Sequence, residues 1–553
     1  MSKNLKIIPL GGLREIGKNI TMFEYGRNQI IVDCGVKFPE NDQYGIDLVL
    51  PQFDYVLQNQ SILRGIVLTH GHQDHIGGLP YLLERLTAPE SGIAIYGTAL
   101  TLGMVERKLE EAGLASRARL EVIDDKQTVH LGPFRVSPFS VAHSIPAAVG
   151  LVIDTPVGAV VHTGDYKLDE TPAGGHKTDF KRLAQLTPNG VLAMLGDSTN
   201  ADRPGRTPTE QLVADTLDDL FAKAKGQRIL IATFSSVLAR LQEIMLLAHK
   251  HGRKVALTGR SLQQNVELAR DLGYLEVPKD LLVDIRDHVP DHKLVILATG
   301  SQGEPRSALN RMARGEHKQV NVHQGDVIIV SGGTIPGNEE DVGRMLNNLF
   351  ARGANVIYGP LATVHVSGHS SREDMRIMLE HVRPRFLIPV HGEIRHQHLH
   401  ASLAKENGHA AEEIFILENG AVWATDGRKA WREEPVPAAD VYVDGSLIGQ
   451  IGERVVRDRE RLSQDGFVVV YVPVDKRRRL AGDTRLISRG FLHMDASTDL
   501  MAAAQAELER GLRRKGNRKR ADHGQAVRET LERFFYRETG SRPVILPNIV
   551  QVQ

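Results

Sequence analysis

Three histidines and one aspartate lie within six residues of the sequence, His70-Gly71-His72-Gln73-Asp74-His75. They follow an apolar, β-rich run, Gly65-Ile66-Val67-Leu68-Thr69, and are therefore expected in a loop between a strand and a helix. Imidazole and carboxylate ligands suit zinc or manganese better than calcium or magnesium. Because the cluster is too dense for one tetrahedral ion, it predicts half of a two-metal site. The alternative is a histidine-rich surface loop.

Three further residues that could hold a metal ion follow other apolar runs. His143, Asp165 and His391 each stand where a short apolar segment gives way to a glycine or a polar turn. Loops that follow strands are held by a rigid scaffold and often carry functional residues. Any one of the three alone would more often be an ordinary core or turn residue. Their combination with the six-residue cluster is what predicts a metal site.

Two patterns in the sequence indicate how these residues are positioned. Up to about residue 204, short apolar segments alternate with Gly, Asp and Asn turns, and helical periodicity is confined to stretches such as 78–86 and 100–112. This pattern predicts a sandwich of sheets flanked by helices. Beyond it, predicted strands alternate with helices, and the strands are 228–233, 254–257, 294–299 and 326–330. Such alternation is typical of a parallel sheet wrapped by helices.

The second pattern interrupts the first, which predicts an inserted domain. Asp165 and His391 are 226 residues apart, and we expect a strand at 355–358 to return the chain to the first domain. The predicted ranges are 1–204 and 351–430 for the first domain, 205–350 for the inserted α/β domain, 431–447 for a linker, and 448–553 for a small C-terminal α/β domain. In the C-terminal domain we predict strands at 466–473 and 543–549 and helices at 497–514 and 524–539.

The composition is that of an ordinary soluble globular protein. Of 553 residues, 41% are hydrophobic and 25% are charged. No apolar run is long enough to cross a membrane, and the first residues lack the apolar core of a signal peptide. Cys34 is the only cysteine, which excludes an internal disulfide and a thiolate metal site. These features predict a cytoplasmic protein without membrane association.

A net charge of zero hides an uneven distribution of charge. Residues 445–553 carry a net charge of +7, and the rest of the chain carries −7. Two basic clusters, 476–479 and 513–520, supply the positive charge. Such clusters attract phosphate backbones, although each could equally be a solvated face or a flexible turn.

The cluster at His70–His75 resembles the HxHxDH motif of the metallo-β-lactamase superfamily, and the resemblance covers residues 1 to about 430. The order of the motifs and the insertion resemble its β-CASP branch, whose members cut nucleic acids. Within that branch the chain is similar to the bacterial ribonuclease J family, on the strength of the segments HGHQDHIGG, GDSTN, HVSGH and PVHGE together. The resemblance implies an αββα sandwich with an inserted β-CASP domain.

The resemblance also implies roles for individual residues. One metal ion would be held by His70, His72, His143 and Asp165, and a second by Asp74, His75, His391 and the bridging Asp165. Asp33 would hydrogen-bond a ligating histidine and fix its tautomer. Asp197 and His369 would transfer protons, and the sequence leaves open which of them is the acid and which the base.

Two loops are suited to binding phosphate, and in the family such loops line a pocket for a 5′-monophosphate. The predicted substrate-binding residues are Phe234, Ser235, Ser236, His365, Val366, Ser367, Gly368 and His369. Hydroxyl groups and backbone N–H groups at the start of a helix bind anions well, but Ser235 and Ser236 could equally be plain helix caps. By a looser analogy, Asp47 and Asp444 would share a structural divalent cation.

The function that the resemblance implies is a two-metal ribonuclease acting on single-stranded RNA, both as a 5′→3′ exonuclease and as an endonuclease. Its cofactors would be two zinc or manganese ions, and its roles ribosomal RNA maturation and messenger RNA decay. A homodimer, or a tetramer, would form through the C-terminal domain. The alternatives are a DNA-directed β-CASP nuclease, a small-molecule metallo-hydrolase, and a non-catalytic RNA-binding scaffold. No GxxxxGK[ST] phosphate-binding loop is present, which argues against ATP hydrolysis.

Overall fold

The computed structural model describes residues 4–87, 91–172, 177–335, 337–476, 479–491, 498–515 and 523–552. Contacts divide the chain into two units, residues 1–38 with 48–441, and residues 39–47 with 442–553. None of the helices in the described ranges combines the length and the hydropathy needed to cross a bilayer. Arg477, Arg478 and residues 516–520 of the two predicted basic clusters lie outside the described residues.

Two sheets of the first unit form a sandwich. The first sheet contains, in spatial order, Ala430–Glu433, Val422–Thr425, Leu5–Gly11, Ile20–Tyr25, Asn28–Val32, Leu63–Val67, Ile93–Gly97 and Ala118–Val122. The second contains Pro384–Val390, Val191–Asp197, Gly158–His162, Val149–Thr155, Phe134–Ser140 and Val129–Leu131. Two further short strands, Leu13–Arg14 and Gly392–Glu393, pair with each other. The strand Leu48–Pro51 belongs to neither large sheet.

Alternating side chains give the central strands of the sandwich two buried faces. Ile30 and Val32 belong to the cluster between the two sheets, together with Val160 of the second sheet. Ile31 and Val161 belong instead to the cluster under the helices. Because successive residues of a strand point to opposite faces, strands covered on both sides appear in the sequence as continuous apolar runs.

Helices cover the outer faces of the sandwich. They are Asp54–Gln58, Gln73–Ile76, Leu79–Arg85, Ala99–Glu111, Phe180–Leu186, Arg372–Val382 and Ile394–Glu406. Single 3₁₀ turns occur at Gln60–Ile62, Ala115–Arg117 and Ala411–Glu413. This is the αββα arrangement that the sequence predicted.

The inserted domain contains a parallel sheet with helices on both faces. Its strands, in spatial order, are Leu282–Val283, Lys254–Thr258, Leu294–Ala298, Ile229–Ala232, Val327–Val330 and Asn355–Ile357. Its helices are Glu210–Lys223, Leu238–Lys250, Arg260–Asp271, Ala308–Arg314 and Glu339–Ala351, with a 3₁₀ turn at Asp291–Lys293. Ile229 and Ile231 pack on one face and Leu230 and Ala232 on the other.

The prediction that the strand at 355–358 returns to the first domain is wrong. Asn355–Ile357 pairs in parallel with Val327–Val330 and forms the edge of the inserted sheet. The physical reason is the helix Glu339–Ala351, which is the crossover of a strand–helix–strand unit and brings the next strand back to the same sheet. The remaining predicted domain boundaries stay predictions.

The stretch predicted as a linker, 431–447, contains regular structure. Ala430–Glu433 forms a hairpin with Val422–Thr425 at the edge of the first sheet. Asp440–Asp444 and Leu447–Ile448 are further strands. Pro435 and Pro437 lie between the strands Ala430–Glu433 and Asp440–Asp444, and the division of the chain into two units falls within the predicted range, so the linker stays a prediction.

The second unit has a small core of its own. The strands Arg485–Arg489, Phe467–Val474 and Val544–Gln551 form a sheet in that order, and the helices are Glu453–Asp465, Thr498–Lys515 and His523–Thr539. Val468, Val470 and Val472 pack with Leu508 and Phe535 of the last two helices. The sequence predicted these two helices and two of the strands, but not Glu453–Asp465 or Arg485–Arg489, which bury few apolar side chains.

Candidate metal centre

The candidate ligands lie just after strands whose carboxyl ends meet at one edge of the sandwich. Three neighbouring strands of the second sheet run parallel and end side by side. They carry Asp165 after Gly158–His162, Asp197 at the end of Val191–Asp197, and His391 after Pro384–Val390. Side chains at the ends of neighbouring parallel strands lie close together however far apart they are in the sequence.

A first group of ligand atoms comes from His70, His72, His143 and Asp165, all within 4.8 Å of one another. Nδ1 of His72 lies 3.0 Å from Nε2 of His70 and 3.1 Å from Nε2 of His143. Oδ2 of Asp165 lies 3.6 Å from Nε2 of His70. The structure thus brings together the four residues that the resemblance assigns to one metal ion.

A second group comes from Asp74, His75, Asp165 and His391, again within 4.8 Å. Oδ2 of Asp165 lies 3.2 Å from Nε2 of His75 and 3.5 Å from Nε2 of His391. Oδ2 of Asp74 lies 3.3 Å from the same nitrogen of His391. A single oxygen of Asp165 therefore faces both groups, which is the arrangement a bridging carboxylate requires.

Asp33 fixes the orientation of two histidines. Its Oδ2 accepts hydrogen bonds from Nδ1 of His75 at 2.8 Å and from the hydroxyl of Thr69 at 2.9 Å. Because the one hydroxyl proton of Thr69 is donated to Asp33, its oxygen accepts from Nδ1 of His70 at 3.0 Å. Both rings are thereby protonated on Nδ1 and present the lone pair of Nε2 to the centre. Asp33 has a φ of 61°, a strained conformation that is common at functional sites.

Thr199 has the same function for His391. Its hydroxyl donates to Oδ1 of Asp197 at 2.7 Å, since a carboxylate can only accept. Its oxygen therefore accepts from Nδ1 of His391, also at 2.7 Å. The Nε2 lone pair of His391 is left facing Asp74 and Asp165, and His391 itself has a φ of 50°.

The backbone of Gly368 holds His143. Nδ1 of His143 donates to the carbonyl oxygen of Gly368 at 2.8 Å, so its Nε2 also presents a lone pair. A Cβ atom added to Gly368 would lie 2.8 Å from the imidazole of His143. Position 368 is therefore a glycine because the chain must approach a ligand closely.

The donor set fits a divalent cation. The ring nitrogens of His70, His72 and His143 that face one another lie about 3 Å apart, and His70 and His143 have their Nδ1 protons committed elsewhere. Because Nε2 of both His70 and His143 is bare, one proton on Nδ1 of His72 could satisfy only one of the two, whereas a cation between the three nitrogens would satisfy all of them. Neutral imidazoles and carboxylates are the ligands that zinc and manganese accept.

The pKa shifts of the histidines differ between the two groups of candidate ligands. Burial and the neighbouring histidines hold the pKa of His70 and His143 well below the ordinary range, and burial lowers that of His72 to about 4. Burial would also lower the pKa of His391, but Asp165 and Asp74 raise it to about 9. The first group thus offers neutral imidazoles, whereas the carboxylates of the second attract a proton or a cation.

Asp197 and His369 form a pair beside the two groups. Nδ1 of His369 lies 2.8 Å from Oδ2 of Asp197, whose other oxygen accepts from the N–H and hydroxyl of Thr199. Asp197 has no exposed surface, whereas the side chain of His369 is 21% exposed. Of the two residues predicted to transfer protons, only His369 reaches solvent.

The predicted substrate loops differ in the contacts that connect them to the candidate ligands. Ser367 Oγ accepts from Asn200 and from the N–H of His369, which ties the segment 365–369 to the centre. Ser235 and Ser236 are half-buried and lie just before the helix Leu238–Lys250. Because the cap of that helix is Val237 and no side chain caps it, the alternative that these serines are plain helix caps is wrong.

Sequence reasoning missed three residues that touch the ligands, namely Thr69, Thr199 and Asn19. Nδ2 of Asn19 lies 3.1 Å from Nε2 of His75 and 3.2 Å from the carbonyl oxygen of Asp74. Thr199 belongs to the GDSTN segment that identified Asp197, so the motif pointed to the segment but not to this hydroxyl. Nothing in the sequence around Asn19 distinguishes it from a turn residue.

Replacing Thr199 with valine is expected to weaken metal binding 10- to 100-fold, because residues that orient metal ligands typically contribute this much. Valine has the same shape but leaves Nδ1 of His391 without its acceptor. Titration of the metal-free protein with zinc or manganese against a competing chelator measures the change. Thr199→Ser keeps the hydroxyl and should bind metal like the wild type. Equal affinity of the valine and serine variants would contradict this role.

The predicted structural cation between Asp47 and Asp444 stays a prediction. Oδ2 of Asp444 accepts from Nη2 of Arg459 at 2.7 Å. Oδ2 of Asp47 accepts from the N–H of Gly445 at 2.8 Å. Oδ2 of each aspartate therefore already accepts a hydrogen bond from a donor of the protein.

Four family models match successive parts of the chain. They describe the metallo-beta-lactamase superfamily (residues 13–198), the ribonuclease J beta-CASP domain (226–349), a Zn-dependent metallo-hydrolase RNA specificity domain (354–417), and the ribonuclease J C-terminal domain (454–552). Together with the sheets described above, they confirm the predicted fold class. With the His/Asp cluster, they identify a site for divalent metal.

The chain is similar to curated proteins over its whole length. It is 40% identical to ribonuclease J of Thermus thermophilus, over 99% of this chain and 95% of that protein. It is 38% identical to ribonuclease J2 of Bacillus subtilis, over 100% of this chain and 99% of that protein. A solved structure of a protein of unknown function from Enterococcus faecalis V583 matches with a TM-score of 0.53 at 14% identity, over 76% of this chain and all of that one. This last likeness concerns the fold alone.

Proposed function

The chain belongs to the ribonuclease J family of metal-dependent ribonucleases, and from this membership we propose that it degrades single-stranded RNA. The proposed activities are 5′→3′ removal of nucleotides from RNA with a 5′-monophosphate, and internal cleavage. The observation that carries the proposal is Oδ2 of Asp165, which faces two complete groups of metal ligands next to an Asp197–His369 pair. This is the side-chain inventory that two-metal hydrolysis of a phosphodiester needs.

Two divalent ions in these groups, zinc or manganese, would polarise the attacking water and stabilise the negative charge that develops on the scissile phosphate. The protein would hold them through Nε2 of His70, His75, His143 and His391, Nδ1 of His72, and the carboxylates of Asp74 and Asp165. Asp33 and Thr199 keep His75 and His391 in the tautomers whose Nε2 lone pairs face the centre.

His369 is proposed as the residue that exchanges a proton with the substrate, and Asp197 as the residue that orients it. The exposed ring of His369 can reach a substrate oxygen, while its Nδ1 is held by Asp197. Asp197 is buried and already accepts from Thr199 and His369, so it has no surface with which to touch RNA. Protonated on both nitrogens, His369 could donate the Nε2 proton to the leaving oxygen.

A pocket for the 5′-phosphate is proposed at Phe234–Ser236 and at 365–368. Within the described ranges, the helix that follows Ser235 and Ser236 has no side-chain cap, so neither hydroxyl is committed to capping it. A phosphate bound there, at a fixed distance from the metal ligands, would account for removal of nucleotides one at a time from the 5′ end.

The proposals for cellular location, biological role and oligomeric state rest on membership of the family. We propose a cytoplasmic enzyme of ribosomal RNA maturation and messenger RNA decay that works as a homodimer, or a tetramer, through its C-terminal domain. A DNA-directed nuclease is the second candidate, because the 2′-hydroxyl distinguishes RNA from DNA and none of the residues above reports on it. A small-molecule hydrolase is disfavoured by the match to an RNA specificity domain over 354–417.

The test is a comparison of three single strands with purified protein and added manganese or zinc. These are an RNA with a 5′-monophosphate, the same RNA with a 5′-triphosphate, and a DNA of matched sequence. Early release of mononucleotides from the monophosphorylated RNA alone, with DNA spared, is the expected result. Equal digestion of DNA would favour the second candidate, and no cleavage with either metal would overturn the proposal.

Ser235→Ala is expected to slow exonucleolysis of 5′-monophosphorylated RNA by about 10-fold or more, because one hydrogen bond to a charged group is lost. Internal cleavage of a circular RNA, which has no 5′ end, should change much less. The control is Ser402→Ala, which removes an exposed serine hydroxyl from the helix Ile394–Glu406. Equal losses of both activities would contradict a role in binding the 5′-phosphate.

A further inference from the structure

Buried charged side chains join the inserted domain to the segment that follows Asp165, through a contact between Glu210 and Lys167. Arg240 lies on the helix Leu238–Lys250 and is only 1% exposed. Its Nη2 donates to both carboxylate oxygens of Glu210, at 3.1 and 2.8 Å. Glu210 also accepts from Lys167, two residues after Asp165, at 3.4 Å. A buried arginine held by both oxygens of one carboxylate has a fixed position and a fixed charge.

The other terminal nitrogen of Arg240 contacts His365. Nη1 donates to Nδ1 of His365 at 2.7 Å, and it lies 3.4 Å from both oxygens of Ser331. Ser331 in turn donates to the carbonyl oxygen of Val364 at 2.6 Å. The side chain of Arg240 and the strand end at Ser331, both in the inserted domain, therefore hold the start of the segment 365–369.

The guanidinium of Arg240 determines which ring nitrogen of His365 carries the proton. All hydrogen-bonding positions of arginine are donors, and arginine does not lose its proton in proteins. Nδ1 of His365 must therefore be the bare acceptor, and the ring proton must be on Nε2. That nitrogen faces the backbone of Gly333, where an added Cβ would lie 3.0 Å away.

We propose that Arg240 is a positioning residue that holds His365 as a neutral imidazole with Nε2–H available to an RNA phosphate, so that His365 binds RNA as a hydrogen-bond donor and not as a cation. This inference rests on the proposed function and concerns how its substrate is held. A positive imidazole is disfavoured because three cationic side chains, those of Arg240, Lys167 and Arg203, act on His365. Burial and these charges lower the pKa of His365 to about 3.

The first experiment replaces His365 without touching Arg240. In His365→Gln, the amide oxygen can accept from Arg240 and the amide nitrogen can donate to RNA, as the proposed tautomer does. We expect a KM for 5′-monophosphorylated RNA within about 3-fold of the wild type. His365→Leu removes both functions and should raise KM about 10- to 100-fold with a smaller change in kcat. If glutamine is as damaging as leucine, His365 does not act as a neutral donor and the proposal is overturned.

The second experiment removes the arginine. Arg240→Met is expected to raise KM about 10-fold, and in the His365→Leu background it should add less than about 3-fold, because residues that act through one another are not additive. The matched control is Arg228→Met. Arg228 forms a similar buried ion pair with Asp326, at 2.6 and 3.1 Å, between two strands of the same sheet. This control should lower the thermal midpoint while leaving KM unchanged.

The outcomes separate the proposal from a merely structural role. Arg240 would have only a structural role if the KM of the double variant rose by the product of the two single effects. The same conclusion would follow if Arg228→Met raised KM as much as Arg240→Met. Wild-type cleavage of the same RNA tests the proposed function, whereas the ratios between variants test the role of Arg240. Should Arg240→Met fail to fold, the comparison of His365→Gln with His365→Leu still decides whether His365 is the neutral donor that the proposal requires.

Discussion

Asp165→Asn is expected to reduce RNA cleavage by about 10³-fold or more and to lower the metal content of the purified protein. Oδ2 of Asp165 faces Nε2 of His70 on one side and Nε2 of His75 and His391 on the other. An amide has no negative charge and presents either a weaker oxygen or an NH₂ group at that point. Because several kcal/mol of transition-state stabilisation depend on bound ions, the loss in rate should span several powers of ten.

Two measurements accompany the Asp165 variant. Metal analysis of the purified protein should find fewer than two bound ions, and fluorescence anisotropy should show that RNA still binds. The control is Asp426→Asn, at an exposed turn where the carboxylate only accepts backbone N–H groups. A fully active Asp165→Asn protein, or an inactive one with both ions retained, would contradict a bridging role.

His369→Ala is expected to lower kcat by 10²- to 10⁴-fold, the range typical of a residue that transfers a proton. Unlike Asp165→Asn, it should leave two metal ions bound, because His369 belongs to neither four-ligand group. Asp197→Asn should have a similar effect on kcat, since it removes the acceptor that orients the ring. The double variant should be little worse than either single variant, because the two residues act as a unit.

The control for His369 is His398→Ala, an exposed histidine of the helix Ile394–Glu406. It should cleave RNA at the wild-type rate. If His369→Ala loses metal as well as activity, His369 is better described as a ligand. If the double variant is as slow as the product of the single effects or slower, Asp197 and His369 act independently and the assignment of their roles is wrong.

The candidate ligands could be proposed from the sequence because each one follows a local pattern, an apolar run that ends at a glycine or a polar turn. A run such as Gly65–Thr69 predicts a buried strand, and the four candidate ligands that follow it lie between the end of that strand and the helix Gln73–Ile76 or within the helix. The strand ends before Asp165 and His391 give the same signal. What a single sequence could not show is that these ends meet, which depends on the parallel pairing of three strands.

The residues that hold the ligands were not predictable in the same way. Thr199 is defined by two hydrogen bonds, one to a neighbour two residues away and one to His391, 192 residues away. Arg240 would be assigned from sequence to the solvated face of a helix, because a buried arginine is rare unless it is paired. Its partners Glu210 and His365 come from different segments, so only the folded chain identifies it.

The wrong prediction in the fold concerned a connection, whereas the helix Glu453–Asp465 and the strand Arg485–Arg489 were elements that the sequence did not indicate. The strand Asn355–Ile357 was predicted, but its partner was not, because a short apolar run does not specify which sheet it joins. This case shows that composition predicts local geometry better than it predicts pairing.

The position of the inserted domain also constrains the order of events during synthesis. Pro384–Val390 pairs with Val191–Asp197, yet about 190 residues are translated between them, which takes about 10–40 s at ordinary rates. During that interval the strand Val191–Asp197 has an open edge and His391 does not exist. The last ligand to leave the ribosome completes the centre, so a nascent or truncated chain that ends before residue 391 should be unable to cut any RNA, including the message that encodes it.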